Sequence, residues 1–111
     1  MYYDYGSTNI STQSIGQLDQ LVKFLTENPE TKIELVAHTD SRGDEDFNLN
    51  LSVERAQAAK TYLVNNGVSD FRVKAFGKGE KDLRNHCSSG VYCTEKEHEY
   101  NRRTEVRIIY D

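Results

Sequence analysis

Apolar residues recur at two different spacings along the chain, and the switches between them lay out its elements. Ile15, Leu18, Leu21, Val22 and Leu25 fall at helical spacing, with Ser11 ahead as an N-cap and Asn28-Pro29 behind as a stop. Residues 32–37 then alternate, Ile33 and Leu35 against Lys32 and Glu34, before turning apolar at Val36 and Ala37. That is the pattern of a strand more deeply buried toward its end. A second long helix is predicted from about residue 46 to 66, closed by Gly67 as a C-cap. Residues 71–76 predict a further strand, and residues 104–110, with Thr104, Val106 and Ile108 alternating against Glu105 and Arg107, predict the last one. Ahead of all these, the short aromatic-rich stretch 1–5 runs into Gly6-Ser7-Thr8-Asn9, a first strand ending in a turn.

The order strand, helix, strand, helix, strand, strand predicts an α+β fold. Its expected form is a two-layer sandwich with two main helices on one face of a small mixed sheet. Between the last two strands, residues 77–103 are polar and irregular apart from a helical pattern at 94–101, a connection of the length that usually carries function. At 111 residues the chain fits one domain, 1–111. The longest apolar runs are a few residues, against the roughly 20 needed to cross a bilayer, so no membrane insertion by these residues is expected. Met1 passes directly to Tyr2-Tyr3-Asp4 with no leader pattern, which reads as a domain excised from a larger protein, so that any secretion signal or lipid anchor would lie elsewhere.

Composition narrows the function classes. Hydrophobic residues make up 36% and charged residues 29%, the balance of a folding, water-facing domain. The net charge of -4, with acids and bases interspersed, argues against a surface that neutralises nucleic acid. The two cysteines, Cys87 and Cys93, are spaced closely enough for a small disulfide loop in an oxidising compartment. With His86 and His98 they are also a candidate zinc set, although adjacent His86 and Cys87 are awkward as simultaneous ligands.

The second helix carries the chemistry. On a helical wheel Leu49, Val53, Ala56, Leu63 and Val64 fall on one arc, and Leu51, Ala58 and Tyr62 on another. Between these arcs lie Asn48, Ser52, Arg55 and Ala59, while Glu54, Gln57, Thr61 and Asn65 form the solvated face. Arg55 therefore points inward, where an unpaired guanidinium costs roughly several kcal/mol and calls for a carboxylate. Asp40, where the strand ends, offers an internal salt bridge. Equally, Asp40 and Arg55 together fit a ligand with an ammonium and a carboxylate on one carbon, as in diaminopimelate. Lys60 falls near the apolar arc and is expected to snorkel. His38 and Asp40 form a His-x-Asp pair, but no third ligand at a convincing spacing completes a hydrolytic metal centre. No catalytic residue and no cofactor are assigned.

Several blocks, in order, resemble the OmpA C-terminal domain family. They are His38-Thr39-Asp40-Ser41-Arg42-Gly43, Asn48, Leu51-Ser52-Val53-Glu54-Arg55-Ala56, Phe76-Gly77-Lys78-Gly79-Glu80 and Asn101-Arg102-Arg103-Thr104-Glu105. The resemblance implies a non-catalytic periplasmic domain that binds peptidoglycan without a covalent link. Asp40 and Arg55 fall on the positions that hold diaminopimelate of the stem peptide, and Asn48 and Arg102 match further ligand-contacting positions. Thr39 precedes the key aspartate. The resemblance implies that the turn at Tyr5-Gly6 borders the pocket, where it departs from the acidic or amide residue more usual there. Arg103 is expected to pair with an acid on the sheet surface. Residues 85–98 resemble an insertion in a subset of the family in which the cysteines pair, implying a Cys87 to Cys93 disulfide. Some of that subset belong to larger envelope proteins, including components of the type IX secretion apparatus. A module that binds other envelope proteins through this loop is the alternative.

Overall fold

In the computed structural model of the chain, the described residues are 12–39, 41–42, 44–79, 93–94 and 103–109. The expected first strand at 1–5, the Ser11 cap and the helical pattern at 94–101 lie outside them, apart from Thr94. The elements run α1 (Thr12–Glu27), β1 (Lys32–His38), α2 (Glu45–Asn65), a 3-10 turn (Asp70–Arg72), β2 (Val73–Gly77) and β3 (Arg103–Ile109). The sheet order is β2-β1-β3, with β1 parallel to β2 and antiparallel to β3. This is the α+β arrangement of two helices and a small mixed sheet that the pattern predicts. A parallel pair needs a crossover, and α2 supplies it.

One core joins both helices to one sheet face. Leu18 and Leu25 of α1 meet Ile33 and Leu35 of β1, Ala59 and Leu63 of α2, and Val68 and Val73 at the entry to β2. Ile33 and Leu35 share a face because they are two apart, so α1 and α2 cover the same side of the sheet. The end of α2 is tied into this core. The Val68 N–H donates to the Leu63 carbonyl and the Gly67 N–H to the Val64 carbonyl, a Schellman closure with Gly67 at φ 98°. Val68 and Leu63 belong to the same cluster, so the cap is also a packing contact. At the other end, the Asp44 carboxylate accepts from the Asp46 and Phe47 amides at 2.8 and 3.2 Å, and Glu45 and Asp46 suit the positive end of the helix dipole.

Two expectations are corrected. The strand anticipated at 71–76 begins only at Val73, because residues 70–72 wind into a 3-10 turn and leave Phe71 73% exposed. Arg72 accounts for this: its guanidinium donates to the carbonyls of Leu25, Asn28 and Thr31 at 2.7 to 3.0 Å, closing the C-terminal end of α1. Val53, placed on an inward arc, is 48% exposed, because the buried face of α2 centres on Asn48, Ser52, Arg55 and Ala59 and its flanks emerge. Lys60 reaches Asp70 at 3.3 Å, so its ammonium is paired.

Candidate functional site

The site forms where β1 ends and α2 begins its inward stripe. Asn48, Ser52 and Arg55 are spaced by four and three residues, so they share one helix face, and all three are buried. Arg55 is wholly enclosed at 0% exposure and, among the described residues, is the largest side chain so buried. Each of the three holds a different point of main chain around the strand end. Arg55 Nη1 donates to the His38 carbonyl at 3.5 Å, and Asn48 Nδ2 donates to the Arg42 carbonyl at 2.9 Å. Ser52 Oγ accepts the Gly79 N–H at 2.8 Å, and the Gly79 carbonyl in turn accepts the Thr39 N–H at 2.9 Å. The segment 38–42 is thus gripped on both sides of position 40.

Of the expected ligand residues, Thr39, Asn48 and Arg55 are brought together here, each at most 2% exposed. Asp40, Arg102, Tyr5 and Gly6 lie outside the described residues, as does Cys87. Cys93 is buried at 8% exposure, and among the described residues no cysteine is a free thiol. No group of three potential metal ligands occurs among the described residues. The roles of Ser52 and Gly79 went unassigned in the sequence, although two signals were present: a serine on the buried stripe, and the glycines flanking Lys78.

Beside the strand end, a charged cluster spans β1 and β3. His38 and Arg103 are register partners, and Glu105 is two residues along from Arg103 on the same face. Arg103 Nε donates to Glu105 Oε1 at 2.9 Å, Arg107 Nη2 lies 3.4 Å from Oε2, and the buried His38 ring is 3.6 Å from Oε2. The sheet-surface pairing expected of Arg103 is therefore made, with Glu105. Burial pushes the Glu105 carboxyl up, but the Arg103 hydrogen bond and charge, then His38 and Arg107, outweigh it and hold the pKa below the ordinary value. A carboxyl depressed in the folded state stabilises above its unfolded pKa and loses that contribution as pH falls through the folded one. Glu105→Gln is expected to cost about 1 kcal/mol at pH 7, with the difference from wild type vanishing in acid, as followed by urea melts across pH.

The geometry defines a small α+β domain that buries a guanidinium beside the end of its central strand. Comparisons with known proteins give its family. The profile of the OmpA family matches residues 2–96, and the chain belongs to that family. It is 33% identical over 106 residues to outer membrane porin F of Pseudomonas fluorescens, covering 96% of this chain and 31% of that protein. It is 29% identical over 110 residues to the peptidoglycan-associated lipoprotein of Buchnera aphidicola, covering 99% of this chain and 60% of that one. The chain thus spans from about a third to 60% of these relatives. The crystal structure of the peptidoglycan-associated lipoprotein from Burkholderia pseudomallei superposes with a TM-score of 0.86 at 27% identity, covering 97% of this chain and 87% of that one.

Proposed function

We propose that residues 1–111 form one non-catalytic domain that binds peptidoglycan non-covalently through diaminopimelate of the stem peptide, anchoring an outer-membrane or envelope assembly to the wall. The observation that carries this reading is Arg55, a fully buried guanidinium held at the strand end that leads into Asp40, in a chain similar to peptidoglycan-associated lipoproteins. Asp40 takes the ligand ammonium and Arg55 its carboxylate, with Thr39, Asn48, Arg102, Tyr5 and Gly6 around them. Arg55 is enclosed by the chain itself, so a stem carboxylate that reaches it replaces an intramolecular contact. The domain works in the periplasm, with attachment to the outer membrane through parts of the protein beyond this chain. A disulfide between Cys87 and Cys93 is supported by the burial of Cys93 and by the absence of a free thiol among the described residues. The assembly served, with type IX secretion among the candidates, is identified by what copurifies with the full-length protein.

Stem peptides with lysine in place of diaminopimelate lack the second carboxylate. Calorimetry is expected to show them binding roughly ten- to a hundredfold more weakly, the value of one charge-assisted contact. Equal affinity for the two stems would remove Arg55 from ligand recognition.

A further inference from the structure

We propose that Ser52 is a positioning residue for the loop after β1, holding it through Gly79 without touching the ligand; this rests on the peptidoglycan reading above. Ser52 is completely buried. Its hydroxyl donates to the Leu49 carbonyl at 2.7 Å, which uses its one proton and leaves its lone pairs for the Gly79 N–H at 2.8 Å. Gly79 then passes the constraint on, its carbonyl accepting the Thr39 N–H at 2.9 Å. Three hydrogen bonds in series connect the backbone of α2 to the residue just before Asp40.

The surrounding geometry leaves this connection little freedom. The β1–β2 ladder ends at the Ala37 and Gly77 pair, and the Lys78 N–H still donates to the Ala37 carbonyl at 3.0 Å. The bond to Thr39 therefore extends the parallel pairing past the strand itself. Gly79 sits at φ 58°, and a Cβ there would lie 3.1 Å from the Leu49 backbone, so the turn is seated directly on α2. Asn48 and Arg55 bond the carbonyls of Arg42 and His38, and Ser52, between them on the stripe, holds Gly79, whose carbonyl accepts the Thr39 N–H. Without it the loop keeps both ends but loses the hold at its first residue.

The test compares Ser52→Ala and Ser52→Cys with Val73→Ala, a core change remote from the loop. Alanine suits a helix interior, and cysteine preserves size with a weaker acceptor, so one or both variants fold. The readouts are amide hydrogen exchange by NMR and calorimetric affinity for a soluble stem tripeptide ending in meso-diaminopimelate. In Ser52→Ala, Thr39 and Gly79 are expected to exchange about tenfold faster relative to Leu35, and affinity to fall about tenfold. Ser52→Cys should shift both readouts in the same direction by less. Val73→Ala should alter neither the relative exchange nor the affinity. Unchanged affinity in a folded Ser52 variant, with the wild type binding, overturns the proposal. Failure of the wild type to bind overturns the functional reading instead, and the exchange pattern alone then decides whether Ser52 holds the loop.

Discussion

A methyl group added at Gly77 is expected to lower the melting temperature by roughly 10 °C or more. The Cβ of an alanine there would lie 2.6 Å from the Ser52 carbonyl carbon and closer still to the Val53 amide nitrogen and Ser52 Oγ. Two of those three atoms are helix backbone, so relief requires moving α2 off β2. Overpacking of this kind costs about 3 kcal/mol, a large share of the 5 to 15 kcal/mol by which domains are usually stable. Gly16 is the matched control. Nothing lies within 4 Å of a Cβ built there, and it sits inside α1. Gly16→Ala should raise stability by about 0.5 to 1 kcal/mol. Thermal melts followed by circular dichroism separate the two, and similar melting of Gly77→Ala and wild type would show that β2 and α2 are not so tightly seated.

At Arg55, two substitutions should divide charge from shape. Arg55→Ala empties the space of a large, fully buried side chain and removes its bond to the His38 carbonyl, with an expected loss of about 3 kcal/mol. Loss of ligand binding in that variant would therefore be confounded with loss of structure. Arg55→Lys is the sharper experiment. It keeps a positive charge and most of the apolar stem but loses the planar fork that grips a carboxylate with two parallel bonds. Its melting temperature should stay within a few degrees of wild type while affinity for the diaminopimelate stem falls at least about tenfold. Full affinity in Arg55→Lys would mean that the guanidinium serves the fold alone.

The elements that periodicity locates are those whose partners are other apolar side chains. Leu18 and Leu25 of α1, and Ile33 and Leu35 of β1, announce their burial by spacing, and the core is built from them. The inward stripe of α2 was legible for the same geometric reason, and Arg55 and Asn48 lie on it. Their acceptors were not legible, because the carbonyls of His38 and Arg42 are main-chain atoms that any residue would supply. Phe71 shows the opposite failure. An aromatic ahead of an alternating run reads as strand, yet the guanidinium of Arg72 holds the end of α1, far away in sequence, and the chain turns there. Propensity is local and that contact is not.

The placement of β1 between its two neighbours has a mechanical consequence. Five residues of β1 are paired with β2 and seven with β3, and the site sits at the end of this shared strand. A pull applied at Thr39 along the strand axis runs across the hydrogen bonds of both ladders, so they share the load in shear and cannot break in succession as at the tip of a hairpin. A load that enters at Thr39 is therefore divided between two ladders at once.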